Sequence, residues 1–287
     1  MVESLSHDVK MQLRMKINEA VTIKRGSMPG KTVGVFAGVH GNELAGVRAI
    51  HNLLPTLRIK AGTVYFVLAN PPAIARKERS IIKNLNRCFF TGNDGMTWED
   101  ERARELMAIL DKCDGLLDLH GYNGKESDVF AITDSAGVEL ARHLPISAIL
   151  TGISDVATGG TDCYMTSQGK VGICLECGSN FAPEKFTSLA EQSILTFLAH
   201  YGLIDKPKAT RSQPAMYRVV QVVKRETADF EFGQTYLNFQ KLEPGQQFAM
   251  DGQRKFIAAD NTYILFPRSK QKIGEESFIL LNKIEKV

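Results

Sequence analysis

The run from Thr32 to Val39 holds eight residues without a charge, and no other stretch constrains the fold as much. It reads as a buried strand, bounded by Gly30 before it and by a polar turn, His40-Gly41-Asn42-Glu43, after it. Glu43 then opens a helical pattern that runs to Leu54 and stops at Pro55. A strand that ends in a polar turn and feeds a helix is the repeating unit of an α/β sheet.

The pattern recurs along the chain. Thr63 to Ala69 reads as a second strand, ended by Asn70-Pro71-Pro72. A long polar loop from Ala73 to Gly95 follows, and loops of that length are usually functional. Thr97 is placed to cap a helix from Trp98 to Cys113, with Asp100 completing a capping box. Strands are expected at Gly115–Leu119, Asp128–Thr133, Ala148–Leu150 and Lys170–Cys177. Helices are expected at Ala136–Leu144 and Pro183–Leu203, with a polar loop from Thr151 to Lys170, and Met15–Ile23 reads as an edge strand.

At Asp205 the texture changes. A polar linker reaches Gln213, and short strands then follow one another at Tyr217–Val223, Gln247–Met250, Tyr263–Phe266 and Phe278–Ile284 without a clear helix. The expected fold is α/β, a mixed and mostly parallel sheet with helices on both faces, spanning residues 1–204. A small β-rich C-terminal domain spans 213–287.

Two of the six histidines stand apart. His40 and His120 each sit just past the carboxyl end of an apolar strand, and each precedes a glycine. Carboxyl ends of strands are where open α/β sheets bind ligands. If the two strands are near neighbours, His40, Glu43 and His120 form a three-ligand site with one position open, the donor set of a catalytic zinc. His7, His51, His143 and His200 fall in a tail or on helices and read as surface or packing residues. Asp118 lies two residues before His120, on the same side of the strand. It either orients an imidazole or caps nearby backbone; the sequence supports both.

A zinc hydrolase also needs a base. Glu176 is the lone carboxylate in the apolar run Val171–Cys177, where burial would raise its pKa toward a useful value. The alternative is a glutamate exposed at a strand end. Cys174 and Cys177 have Cys-x-x-Cys spacing but fall on opposite sides of a strand, so they read as buried thiols. The loop after the second strand carries Arg76, Lys77, Arg79, Lys83 and Arg87, with Asn84 and Asn86. A solvated basic face would account for them, and so would a loop that binds an anionic substrate through its carboxylate.

Composition excludes several classes. The net charge of +3 is too small to argue for nucleic acid. No stretch approaches the ~18 apolar residues that a membrane helix needs, and residues 1–20 hold no apolar run of the secretory kind. Five scattered cysteines fit a reducing cytoplasm better than a disulfide framework. The oligomeric state stays open, a homo-oligomer included.

His-Gly-Asn-Glu after a strand, Asn-Leu-Asn-Arg in the next loop, Asp-Leu-His after a later strand and a Glu followed by x-Gly stand in that order. Together they resemble the succinylglutamate desuccinylase/aspartoacylase family, zinc amidohydrolases related to zinc carboxypeptidases. The resemblance implies one Zn2+ per chain on His40, Glu43 and His120, with Glu176 as general acid/base. It implies that Arg79 polarises the scissile carbonyl and that Asn86 and Arg87 bind the substrate carboxylate. It further implies hydrolysis of an N-acyl amino acid. A carboxypeptidase acting on small peptides and a non-catalytic zinc-binding protein of the same fold are the rivals. The chain departs from the family in three places. Asn84 stands where Asp is common, residues 160–170 hold no arginine but only Lys170, and no tyrosine follows Tyr263.

Overall fold

A computed structural model describes residues 20–124, 128–205 and 212–285. Eleven strands form one sheet, in the order β1-β3-β2-β4-β7-β5-β6-β8-β14-β13-β10. Its N-terminal half comprises β1 (Val21–Arg25), β2 (Met28–Ala37), β3 (Ala61–Leu68), β4 (Gly115–Tyr122), β5 (Phe130–Thr133), β6 (Ala148–Thr151) and β7 (Val171–Ser179). Pairings among β3, β2, β4 and β7 are parallel, and β5 runs antiparallel to β7. The expected edge strand exists as β1, antiparallel to β3; the part of that expectation before residue 20 lies outside the described residues.

Side-chain alternation sorts the sheet into two faces. On one face Val33, Val35 and Ala37 of β2, Leu117 and Leu119 of β4, and Ile173, Leu175 and Cys177 of β7 join a single core. Helices α1 (Leu44–Leu53), α4 (Ser135–Ala141) and α6 (Pro183–His200) contribute to that core. On the other face Phe36, Val67 and Leu116 pack with α3 (Trp98–Leu110) and α5 (Thr161–Ser167). The sheet is thus covered on both sides, as expected.

Several boundaries differ from the expectation, each for a local reason. The loop after β3 contains a short helix α2 (Pro71–Arg76), which the two prolines start rather than prevent, since proline fits the first helical turn. A 3-10 turn at Leu85–Arg87 follows in the same loop, capped by the Asn84 side chain. The Thr151–Lys170 segment contains α5, too short to show a period in the sequence. Strand β4 continues to Tyr122, so His120 lies inside the strand and not past its end. The Thr97–Asp100 capping box of α3 forms as expected.

The C-terminal segment comprises β8 (Ala215–Lys224), β9 (Glu231–Phe232), β10 (Gln240–Lys241), β11 (Gln247–Asp251), β12 (Arg254–Ile257), β13 (Thr262–Leu265) and β14 (Glu276–Ile284). No helix occurs among its described residues. Strand β8 pairs in parallel with β6, so the sheet passes from one half of the molecule into the other. Strands β12, β11 and β9 form a separate small sheet. Phe230, Phe248, Phe256 and Phe278 fill the core between. Among the described residues no helix is long and apolar enough to cross a membrane.

Helix α1 carries Glu43 at its N-cap and packs Gly46 onto β4. A Cβ at residue 46 would stand 2.4 Å from the Leu119 Cβ, an atom that cannot swing aside. Alanine gains about 1 kcal/mol over glycine in a helix, but overpacking a core costs typically ~1–3 kcal/mol. Gly46→Ala should therefore unfold at lower urea than wild type. A higher midpoint would mean that the helix slides off the strand freely.

Candidate metal centre

Strand β2 lies between β3 and β4, and the chain leaves it toward β3 by way of α1 and later reaches β4 on its other side. The order of connections therefore reverses at β2 and β4, and their carboxyl ends open a crevice of the kind where such sheets bind ligands. His40 and Glu43 follow β2, and His120 lies near the end of β4. All three are buried. One ligand atom from each lies within 4.8 Å of the others. The sequence expectation that the two imidazoles converge is met, with ring centroids 5.1 Å apart.

Glu43 stands between the two rings. Its Oε1 is 2.9 Å from His40 Nδ1 and its Oε2 is 3.0 Å from His120 Nδ1. Arg79 Nη1 donates to Oε1 at 3.1 Å and the Gly121 N–H to Oε2 at 3.2 Å. The far nitrogen of each ring has its own partner. His40 Nε2 is 2.9 Å from Asn84 Oδ1, and that oxygen also accepts the Asn86 N–H at 2.9 Å. His120 Nε2 is 2.9 Å from Asp118 Oδ2, which also accepts the Thr161 hydroxyl at 2.5 Å. Of the two readings of Asp118, the imidazole orienter is the one the geometry matches.

These partners decide the tautomers. Both Nε2 atoms face acceptors, so each carries a proton, and a neutral ring then has its lone pair on Nδ1. Each lone pair points at a carboxylate oxygen of Glu43. Acceptors face acceptors at about 3 Å, an arrangement that a proton or a cation must reconcile. Burial, with the Arg79 charge adding to it, lowers the His40 pKa to about 4 against the pull of Glu43, which favours the neutral ring. On His120 burial also works toward the neutral ring, but the Asp118 charge and hydrogen bond outweigh it and hold the pKa well above its usual value, so without a metal that ring carries the proton that reconciles it with Glu43. For Glu43 burial works toward protonation, but the two histidines outweigh it and hold the carboxyl well below its usual range. Two imidazole nitrogens and one carboxylate, all turned inward and held from behind, fit zinc and its preference for such donors.

Glu176 belongs to the same crevice. In the parallel pairing of β4 and β7 it is the register partner of His120, as Cys174 is of Asp118. It is buried, and its Oε2 has no hydrogen-bond partner. Burial first and the Glu43 charge second push its carboxyl up to about 7. Cys174 and Cys177 are buried free thiols whose side chains belong to different clusters, with the thiol pKa pushed up by burial in both.

The basic loop divides. Arg79, Asn86 and Arg87 line the cleft with the triad. Lys83 pairs instead with Asp100, at the start of α3. Arg87 is engaged: its Nε donates to Glu276 Oε1 at 3.1 Å, its Nη2 makes a second contact there, and its Nη1 donates to the Asn86 carbonyl at 2.6 Å. Asn86 Oδ1 accepts the Thr161 N–H at 3.1 Å, which leaves the amide NH2 as a donor. Four lining residues come from the C-terminal domain: Phe266, Arg268, Glu276 and Ile279. None was picked out in the sequence, because they lie more than 140 residues beyond His120 and no spacing links them to it. Asp162 was also missed; its only local signal is the glycine pair Gly159-Gly160 just before it.

The catalytic-domain model of the succinylglutamate desuccinylases and aspartoacylases matches residues 29–201. The chain belongs to this family. The AstE/AspA barrel-sandwich hybrid domain matches residues 212–284. A succinylglutamate desuccinylase of Vibrio vulnificus is 25% identical over 312 aligned positions, covering 98% of this chain and 89% of that protein. A probable aspartoacylase of Nostoc is 24% identical over 264, covering 82% and 89%. The crystal structure of succinylglutamate desuccinylase from Vibrio cholerae superposes with a TM-score of 0.79 at 20% identity, covering 92% of this chain and 91% of that one. The fold of the family member described here is thus the family's α/β sheet with its β-rich C-terminal domain.

If the inward-facing lone pairs hold zinc, removing either imidazole removes a ligand. Elemental analysis should then find stoichiometric zinc in wild type, and His40→Ala and His120→Ala should each lose most of it. Full retention in both variants would sink the site.

Proposed function

We propose that this family member is a zinc-dependent amidohydrolase that cleaves the amide bond of an N-acyl amino acid, releasing a carboxylic acid and an amine. One Zn2+ per chain would be held by His40, Glu43 and His120. The observation that carries this reading is the β4–β7 register, which sets a buried glutamate, its Oε2 without a hydrogen-bond partner, beside His120 on the same side of the sheet. A site that only binds metal has no use for such a base. The family's hydrolases, named for deacylation, support the reaction type.

Zinc, when held there, supplies Lewis acidity to the scissile carbonyl and to a water. Glu176 accepts the proton of the attacking water and returns it to the amine nitrogen as that group leaves. A carboxyl near pH 7 suits both transfers. Arg79 reaches the triad through Glu43, so its guanidinium is close enough to offset the negative charge that grows on the carbonyl oxygen. The Asn86 amide NH2 and the Arg87 guanidinium read the substrate's α-carboxylate. Glu276 and the Asn86 carbonyl fix the plane of that guanidinium in advance, which lowers the ordering cost of binding. Phe266, Arg268, Glu276 and Ile279 close the cleft from the C-terminal side, which favours a small substrate over a polypeptide.

Glu176→Gln keeps shape and removes the proton acceptor. It should retain zinc and fold yet lose ~10²-fold or more of kcat, the usual scale for a general acid/base. The pH profile separates this from a structural effect. Glu176 is active as a carboxylate, so wild-type kcat/KM falls as pH drops through its pKa. A bound cation favours the ionised form, so that limb should lie at or below pH 7. The Gln variant should lack the limb. Turnover near the wild-type rate would rule Glu176 out as the base.

Arg79 acts on charge that develops only in the transition state. Arg79→Ala should therefore lower kcat more than it raises KM. A pure KM effect, measured on any N-acyl amino acid that wild type hydrolyses, would assign it to ground-state binding instead.

A further inference from the structure

Two charged groups that line the cleft, Arg268 and Asp162, take no charged part in the proposed reaction, and of these Asp162 lies on the side of the triad's support. Asp162 opens α5, on the segment that leads into β7. It is 93% buried and lines the same cavity as the triad, Asn86 and Glu176. Among the described residues no lysine or arginine pairs with it. Its partners are the backbone N–H groups of Cys163 and of Asp162 itself, and the charges it feels are those of His120, which favours its ionised form, and of Asp118, which opposes it. Burial pushes its carboxyl up to about 6, against the pull of the Cys163 N–H, so near neutral pH it is a buried carboxylate short of a counter-charge.

The backbone is shaped around this side chain. A Cβ at Gly160 would stand 2.5 Å from Asp162 Oδ1, and one at Gly172 would stand 2.7 Å from the Asp162 Cα. Gly159 takes a φ of +87° and lies so close to Arg87 that a Cβ there would be 2.7 Å from its carbonyl oxygen. Three glycines thus let the segment press against both β7 and the 3-10 turn. The Thr161 N–H bond to Asn86 and the Thr161 hydroxyl bond to Asp118 pin it there. The aspartate is held in place between the carboxylate-reading loop and the metal ligands' support. Around the same cavity Ile132, Ile153, Ala157 and Ile279 supply an apolar wall.

The expectation from sequence was an anionic substrate read through its carboxylate by the loop after β3, in a chain whose residues 160–170 depart from the family in holding no arginine. The only cation in residues 160–170 is Lys170, and its ammonium is spent on the carbonyls of Leu110 and Asp111. The charge that the segment presents to the cleft is negative. We propose that Asp162 selects a substrate whose side chain ends in an ammonium group, so that the chain acts on the N-acyl derivative of a basic amino acid. The alkyl part of that side chain packs on the isoleucines and its charged end pairs with Asp162, while the α-carboxylate goes to Asn86 and Arg87. This rests on the deacylase reading for the acyl group, though the pairing itself does not depend on turnover.

The two can be tested apart. Zinc-loaded Glu176→Gln protein is titrated calorimetrically with N-acetyl-L-ornithine, N-acetyl-L-norvaline and N-acetyl-L-glutamate. These probes differ in the end of the side chain, a cation, a methyl and an anion. Loss of one charge-assisted hydrogen bond changes affinity on the order of tenfold or more, so the ornithine derivative should bind at least that much more tightly than either of the others. Adding Asp162→Asn, or Asp162→Ser should the first fold poorly, should erase the difference while zinc content and melting temperature stay near the parent's. Equal binding of all three, binding of none, or a preference for the glutamate derivative overturns the proposal, as does a preference that survives both substitutions. Wild-type turnover of the same three compounds then judges the reaction. Selective binding without hydrolysis would remove the deacylase reading and leave Asp162 its role, whereas hydrolysis without selectivity would do the reverse.

Discussion

The site depends on a conflict between acceptors. Asn84 and Asp118 each claim an Nε2 proton, and that single fact turns both Nδ1 lone pairs toward Glu43. A buried carboxylate that faces two imidazole nitrogens is costly unless positive charge or donors offset it, and Arg79 and the Gly121 N–H supply only part of that offset. Much of the surrounding structure maintains this arrangement. Helix α1 sets Glu43 at its N-cap, β4 carries His120, and the 3-10 turn sets Asn84. Thr161 holds Asp118 from the far side, so α5 supports the His40-Glu43-His120 cluster without touching it.

The second level of organisation is charge balance across the cleft. Arg87 and Glu276 pair between the N-terminal loop and β14, so the C-terminal domain is tied to the substrate loop by an ion pair as well as by the β6–β8 ladder. Exposed pairs of this kind add little stability. Their value here is geometric, since the pair fixes a guanidinium that would otherwise sweep the cleft. Arg268 stacks over Phe266 at 5.1 Å and adds a second cation on the same wall. Asp162 joins Glu43, Glu176 and Glu276 as the anions of the same lining, so the cleft presents charge of both signs.

What could be read in the sequence was what local pattern encodes. The strands near the site are apolar runs; His40, Glu43 and His120 stand where such a run gives way to glycine or to a helix start, and Glu176 is the lone carboxylate inside one, so period and punctuation located them. Period-2 alternation put Asp118 on the side of His120 and separated Cys174 from Cys177. The helices α2 and α5 escaped because six or seven residues show less than two turns of any period. Arg268, Glu276 and Asp162 escaped for another reason. Their roles come from contacts across long stretches of chain, and an arginine in a turn or an aspartate after two glycines looks the same on any surface.

Asn84 illustrates how a departure from the family's pattern acquires meaning only in three dimensions. In sequence it is the loss of an aspartate. In the structure its carbonyl oxygen still accepts the His40 proton and the Asn86 N–H, so the hydrogen-bond geometry survives and only the charge is gone. Behind His120 the acceptor remains a full carboxylate. The two ligand imidazoles are therefore supported unequally, with the anion behind His120 making that ring the more basic donor. In the proposed zinc centre, one carboxylate ligand and one supporting carboxylate would just neutralise a divalent cation, and a second supporting aspartate would leave it net negative. The asparagine would thus keep such a centre the stronger electrophile. It also leaves Arg79 free of a further anion in the loop, so Glu43 is its one hydrogen-bonded carboxylate among the described residues, and the guanidinium stays beside the metal ligands where carbonyl charge would develop.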